Sequence, residues 1–392
     1  MRLAVRTAFA AAAWFVAPAA LAATLAFGVL ELDDDPRYDE AKMHARNLVL
    51  PGGRPAAGAE AAIRESSYQA ASLKTTLKLE RASAPDAAGL QAALARLEKQ
   101  GVRFFIADLP GPVLAQLAAA TKGREITIFN VSAPDDALRQ AACQKHVLHT
   151  IPNHAMSADA LAQYLVERKW RNVLLLQGPG EEDALQAAAF ERAAKRFGLK
   201  LVEKRKFLLS NDPRQRDLGN PALLTAGADY DVVYVADADG EFARGLPYRT
   251  VKPRPVVGSE GLAALAWHWN WERHGAPQLN GRFEKQNPGR TKGNADWAAW
   301  IAVKSVVEAM QRTGGADYRK LAAYLRGPEI TIDGFKGNRL SFRAWDHQLR
   351  QPLLIGTHNA VIERAPLEGF LHQGNKLDTL GFDQPDSTCR MQ

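Results

Sequence analysis

An α/β protein of two similar lobes, each a parallel sheet flanked by helices, is predicted by two features of this chain. Short apolar runs alternate with alanine-rich amphipathic stretches, the pattern of βα units that build parallel sheets. That alternation occurs twice, once before and once after Pro152, so two comparable sets of elements are laid down. With 392 residues, 46% hydrophobic and 24% charged, the chain is long enough for two domains and too apolar to remain disordered.

Before the first set lies an export signal. Arg2 and Arg6 precede the apolar run Phe9 to Val16, and Ala20-Leu21-Ala22 reads as a small-x-small cleavage site, so residues 1–22 are expected to be a signal peptide. The apolar run is too short to span a bilayer, and the competing reading is an uncleaved N-terminal anchor. No cysteine sits at the cleavage point, which argues against a lipid anchor, and no later segment is apolar for long enough to form a membrane helix. A mature chain starting near Ala23 is expected to fold outside the cytoplasm as a soluble, exported protein.

The first set opens with a strand over Leu25 to Leu32, a loop over Asp33 to Tyr38, and an interrupted helical stretch from about Ala56 to Ser67. A strand over Leu73 to Leu79 and a helix over Asp86 to Gln100 follow, the helix carrying Leu90, Leu94 and Leu97 on one face. A strand over Val102 to Ala107, a helix over Pro112 to Thr121 and a strand over Ile126 to Val131 complete it. The second set starts with a helix over Ser157 to Lys169, with Ser157 as its cap, and a strand over Asn172 to Leu176. A helix over Glu182 to Phe197 stops at Gly198, and strands follow over Lys200 to Leu208 and Asp231 to Ala236. Val256 to Gly258 is expected as a strand returning toward the first set. Helices over Ala295 to Arg312 and Tyr318 to Leu325, short strands from Ile330 to Ile355, and an irregular tail beyond Gly369 close the chain.

The formal charge of +7 is spread along the chain, and basic runs such as Lys195-Arg196 and Lys204-Arg205-Lys206 read as solvated faces. No basic patch with interleaved aromatics argues for nucleic acid. Cys143 and Cys389 are the two cysteines, an even count that suits a disulfide in an oxidising compartment, against a buried Cys143 and a free thiol in the tail. There is no Gly-x-Ser-x-Gly elbow, P-loop or HExxH, so an enzyme is not expected, and no cofactor is called. Gly178-Pro179-Gly180 is a lone glycine turn and weak evidence for a phosphate site.

The order of elements resembles that of type I periplasmic substrate-binding proteins of ABC importers, of the leucine/isoleucine/valine-binding class. Four markers carry the likeness: Thr150-Ile151-Pro152-Asn153, Asn172-Val173-Leu174-Leu175-Leu176, Gly258-Ser259-Glu260-Gly261, and Asp296 to Met310 followed by Gly334-Phe335-Lys336-Gly337 and Leu340-Ser341-Phe342. More narrowly, the chain resembles the subgroup associated with PQQ-dependent alcohol oxidation. The resemblance implies two lobes joined by three hinge crossovers. The first lobe is then 23–151 plus 259–334, the second 152–258 plus 335–368, and 369–392 an irregular tail. It also implies a small-molecule ligand between the lobes and an ABC permease as partner. An accessory protein of a periplasmic oxidation system is the alternative of a different class. Glu260 matches the family's ammonium-binding glutamate. The loops matching the family's carboxylate half read Asp108-Leu109-Pro110-Gly111 and Asn130-Val131-Ser132-Ala133, where only Ser132 is a ready hydroxyl.

Ligands of open parallel sheets bind at the carboxyl ends of the strands. Those ends supply Asp33, Asp34, Asp35 and Arg37, then Asp108, then Asn130 and Ser132, from the first lobe. The second supplies Glu181, Glu182 and Asp183, then Asp237, Asp239 and Glu241, with Glu260 at the crossover. The candidate ligand-binding residues are therefore Asp35, Arg37, Asp108, Asn130, Ser132, Glu181, Asp183, Asp237, Asp239, Glu260 and Trp269. Their acidic bias suits a cationic ligand, an amine or a hard metal ion such as calcium or a lanthanide. The competing reading is that these acids cap the helices that follow them. Trp267, Trp269 and Trp271 either face a ligand or form a small core cluster, and His146, His149 and His154 read as ordinary polar residues near the first crossover.

Overall fold

The structure is a computed structural model that describes residues 23–39 and 52–391. The expected signal peptide, 1–22, lies outside the described residues. Among those residues no helix is long and apolar enough to cross a membrane.

The first lobe runs β1 (Ala23–Leu32), α1 (Ala56–Glu65), α2 (Ser67–Ser72), β2 (Thr75–Ala84), α3 (Ala87–Lys99), β3 (Phe104–Asp108), α4 (Gly111–Ala120), β4 (Thr127–Asn130) and β5 (Val147–His149). Its five strands are all parallel, in the order β2-β1-β3-β4-β5. Strand alternation makes the two helical layers: Phe27 and Val29 face one core and Leu30 the other. Gly28 is needed between them because a Cβ there would lie 2.8 Å from the Phe105 ring.

The second lobe runs α5 (His154–Glu167), β6 (Asn172–Gln177), α6 (Glu181–Phe197), β7 (Lys200–Lys206), α7 (Pro221–Thr225), β8 (Val232–Ala236) and β9 (Val256–Gly258). Its parallel sheet has the order β7-β6-β8-β9. Val173 and Leu175 pack on one face, Leu174 and Leu176 on the other. Two expectations change here. Val256 to Gly258 does not return to the first set, because Val233, Tyr234 and Val235 pair with it as the edge of the second sheet. The cap of α5 is Asn153, whose side chain accepts from the Met156 N–H at 3.0 Å, and Ser157 lies one turn inside the helix.

The remaining elements are β10 (Ala263–Leu265), α8 (Ala276–Gln286), α9 (Asn294–Thr313), α10 (Tyr318–Arg326), β11 (Ile332–Asp333), β12 (Arg339–Phe342), β13 (Leu349–Arg350), β14 (Leu353–Gly356) and β15 (Val361–Ala365). They shift two expected boundaries. Ala264 packs on the second core and Ala266 on the first, so the second crossover falls at Leu265 and not at 258/259. Leu340, Phe342 and Leu349 are buried in the first core, so the stretch after 334 stays with the first lobe until β14, where Leu353 and Ile355 enter the second. The apolar side chains of β11 to β13 complete the bed under α9, and that burial outweighs an earlier crossing.

A buried polar knot ties the three crossovers. Lys336 Nζ donates to the Ala266 carbonyl at 2.8 Å and to Gln351 Oε1 at 2.7 Å, and lies 3.7 Å from the centroid of the Trp297 ring. Gln351 Nε2 then donates to the Thr150 carbonyl at 2.8 Å. Ala266, Gln351 and Thr150 belong to the second, third and first crossovers. Beside the knot, fully buried Arg139 donates to Gln348 Oε1 at 2.9 Å and to the Ile151 carbonyl at 2.9 Å.

The tail has no regular element beyond short 3-10 turns, yet it is pinned. Cys143 and Cys389 form a disulfide across 246 positions of sequence, which the chain-entropy picture values at about 5 kcal/mol. Leu377 and Leu380 are buried, and the Arg343 guanidinium holds Asp378 at 2.9 Å.

Three histidines near the first crossover are buried without a carboxylate partner. Burial pushes the His146 imidazole down to about 4, with Arg326 and Arg124 adding to it, and likewise takes His347 to about 4 and His149 well down. Their folded pKa lies below the unfolded value of about 6.5, so the unfolded chain binds protons first. The contribution of these histidines to stability is therefore complete above about pH 6.5 and falls toward pH 4, by about 1.4 kcal/mol per pH unit for each proton taken up. Urea unfolding at pH 7 and pH 5 checks this. A lower unfolding free energy at pH 5, with the slope flattened in His347→Asn, is expected; equal stability at both contradicts it.

Candidate functional site

The carboxyl ends of the two sheets face each other across a cleft. On the first wall the loop after β1 turns at Asp35, whose Oδ1 accepts from the Arg37 N–H at 3.0 Å and so fixes a short 3-10 turn at Pro36–Tyr38. The same carboxylate is gripped by the Arg37 guanidinium at 2.6 Å. Arg37 also reaches Asp108 Oδ1 at 3.0 Å, at the end of β3, and Ser132 Oγ at 2.9 Å, beyond the end of β4. Tyr38 donates to Asp108 Oδ1 at 3.1 Å, and Arg54 lies 3.9 Å from Asp108 Oδ2. One guanidinium thus sews three strand ends together.

Electrostatics follow from that arrangement. Burial alone raises the Asp35 carboxyl, but the hydrogen bonds and charge of Arg37 outweigh it and hold the group below the usual carboxylate range. Asp108, completely buried, is pushed up by desolvation despite Arg37. Asp35 and Asp108 are thus paired with Arg37, with Arg54 near, so these two acids of the first wall are compensated within it. Asn130 turns inward: its side chain donates to the Ala133 carbonyl at 2.8 Å and accepts from the Ala133 N–H at 2.9 Å, holding the loop that presents Ser132.

The second wall lines a cavity of about 740 Å³ at the ends of β8 and β9. Tyr234, Asp237, Asp239, Arg244, Tyr248 and Glu260 supply its charged and aromatic surface, closed by His154, Gln186 and His358. The Asp237 carboxylate accepts from the Ala243 N–H at 2.8 Å. Burial pushes it up, and the neighbouring Asp183 charge adds to that. Its own N–H donates to Ser259 Oγ, and that hydroxyl donates to Gln186 Oε1, both at 2.9 Å. Glu260 accepts from the Gly261 N–H at 3.0 Å and borders the cavity.

Three other candidates do not line the cavity. Asp183 is buried and accepts from the Gly180 N–H at 2.9 Å and the Ala238 N–H at 2.6 Å, the capping role that competed with ligand binding. Glu181 is exposed at the start of α6 and does not line the cavity. Trp269 donates its indole N–H to the His358 carbonyl at 2.9 Å, behind the cavity rim, while Trp267 and Trp271 are buried in the first core. Among the described residues no group of three or more His, Cys, Asp or Glu side chains converges to hold a metal ion.

The profile of the family described as periplasmic binding protein matches residues 76–247. A branched-chain amino acid ABC transporter periplasmic ligand-binding protein from Burkholderia xenovorans superposes with a TM-score of 0.71 at 15% identity, over 94% of this chain and 99% of that one. A solute-binding protein of an R. palustris ABC transporter, solved with benzoate, gives 0.67 at 13% identity over 94% and 99%. A leucine-, isoleucine-, valine-, threonine- and alanine-binding protein from Brucella ovis, in a closed conformation, gives 0.66 at 13% identity over 94% and 97%. No curated protein matches the chain. The fold is that of the type I periplasmic binding proteins.

Within this type I fold, several cleft residues escape a reading of strand ends. His154 follows the first crossover and places Nε2 2.8 Å from Glu182 Oε1. Burial raises Glu182, but His154, Gln186 and Arg37 together hold it below its usual range, so a first-wall cation acts on a second-wall acid. Arg54, Tyr248 and His358 come from loops whose return to the cleft no local pattern reveals. Asn153 as an N-cap was the one available signal that His154 opens a helix at the cleft.

Removing Arg37 leaves Asp35 and Asp108 without their shared counter-charge. Arg37→Met should cost about 2 kcal/mol, below the usual figure for a buried pair because Arg37 is partly exposed and Arg54 remains near. Asp108→Asn on that background should recover part of the loss in urea unfolding; two independent, additive losses contradict the pairing.

Proposed function

We propose that this chain is the solute receptor of an ABC importer, working in the periplasm and closing its lobes on one small organic molecule. The observation that carries the reading is the 740 Å³ cavity at the strand ends of the second lobe, opposite a wall already sewn shut by Arg37. A cavity of that size suits a ligand of metabolite dimensions. Proteins of the same fold include one of a branched-chain amino acid transporter and one solved with benzoate, which is why such compounds belong among those to test.

The chemistry of the walls narrows the class. Arg37 is held by Asp35 and Asp108, so among the described residues of the first wall the guanidinium that joins the strand ends is already paired with carboxylates. Asp239 and Glu260 at the cavity, against Arg244, favour a ligand carrying an amine or several hydroxyl donors, flanked by Tyr234 and Tyr248. The resemblance to the subgroup associated with PQQ-dependent alcohol oxidation adds amines, alcohol-derived acids and PQQ itself to the panel. The pairing of Arg37 with Asp35 and Asp108 also favours a second reading, an accessory protein of such an oxidation system that no longer carries solute.

A thermal-shift screen separates the two. A ligand at a hundred times its Kd stabilises the folded state by about 2.7 kcal/mol, a shift of several degrees. Binding of an amine that Glu260→Gln weakens tenfold or more, with a smaller scattering radius on saturation, is the expected result. A ligand whose shift survives both Glu260→Gln and Asp239→Asn contradicts the assignment of the cavity, and no shift across the whole panel favours the accessory role.

A further inference from the structure

We infer that the C-terminal tail is a strap that restrains the motion of the two lobes against each other, kept seated by the Cys143–Cys389 bridge. Three sets of contacts place it across the hinge. On the second lobe Leu380 is buried in the core, the Gly381 N–H donates to Asp159 Oδ2 at 2.8 Å, and Arg196 donates to the Gly381 carbonyl at 2.8 Å. The Phe382 ring lies under the Arg192 guanidinium at 4.9 Å. In the middle the tail is held by the β12–β13 hairpin, whose apolar side chains belong to the first core. Arg343, between those strands, donates to Asp378 at 2.9 Å and to the Leu380 carbonyl at 2.7 Å, and Arg350 donates to Asp378 at 2.8 Å. At the far end Cys389 is bonded to Cys143, in the first-lobe loop before β5, and Thr388 donates to Gln140 Oε1 from its N–H at 2.7 Å and its hydroxyl at 2.8 Å.

The tail is thus a fourth connection between the lobes, made after the three crossovers and on the flank of the hinge. Residues 382–388 include a short 3-10 turn at Gln384–Asp386, so this stretch is not taut. The restraint therefore comes from the residues around 377–382, which touch both bodies at once. The covalent bond keeps those residues at high local concentration, so each release is followed by re-docking.

The inference rests on the lobes being free to move, as in the proposed function, but its test uses no ligand. Hydrogen exchange and small-angle scattering of the unliganded full chain are compared for the native protein and for Cys143→Ser/Cys389→Ser, with Asp378→Asn as a variant that keeps the bridge. Expected are exchange at Gly381 and Thr388 at least tenfold faster in the double variant and a broader distribution of interlobe distances, with Asp378→Asn between the two. Faster tail exchange with an unchanged distance distribution overturns the strap. Unchanged tail exchange overturns the role given to the bridge. Should the double variant lose its cooperative unfolding, Asp378→Asn decides, and a distribution identical to the native one there overturns the inference. A chain that opens more widely without its strap yet binds no solute would leave the strap standing and remove only the transport reading.

Discussion

One buried lysine organises this molecule. Lys336 sits where three chain crossings meet, and its hydrogen bonds to Ala266 and Gln351, with Gln351 passing on to Thr150, tie segments far apart in sequence. A lysine so enclosed is pushed well below its usual range by desolvation, with the Arg364 charge adding to it. The two acceptors and the face of Trp297 work in the opposite direction and favour the charged form. Every polar atom of the knot has its partner, and a buried polar network is specific only when it is fully satisfied. The knot fixes the register of the crossings, so the sheets can swing only as bodies.

The cleft divides its chemistry between the two walls. On the first, Arg37 joins Asp35, Asp108 and Ser132, so three strand ends are bonded into one surface. The second is open, carrying carboxylates and tyrosines around a cavity. Glu182 and His154 stand between them, near enough to Arg37 for its charge to be felt. A bonded wall, a receptive wall and a tied hinge are the parts that closure on a guest requires.

Much of this was legible in the sequence because it depends on local periodicity. Strands such as Val232–Ala236 and Asn172–Gln177 are continuous apolar runs since both faces of a parallel sheet are covered. Gly198 at φ 71° ends α6 as its position suggested. The second and third crossovers were misplaced because hairpin residues such as Leu340 and Phe342 look alike whichever core they enter. The cleft was read as acidic because carboxylates stand at the strand ends. That reading could not see Arg54 approaching Asp108 from a separate loop, nor Asp183 turning back to cap Gly180 and Ala238. Strand ends are local; the charges that neutralise them are not.

The central claim is that the three crossovers move as one unit because Lys336 and Gln351 tie them. Residue-resolved hydrogen exchange of the native chain and of Lys336→Met tests it directly. The account predicts slow exchange around 147–151, 263–266 and 349–355 in the native protein, and acceleration of all three together in the variant. Acceleration confined to the immediate neighbours of residue 336, with the first crossover unchanged, would contradict it.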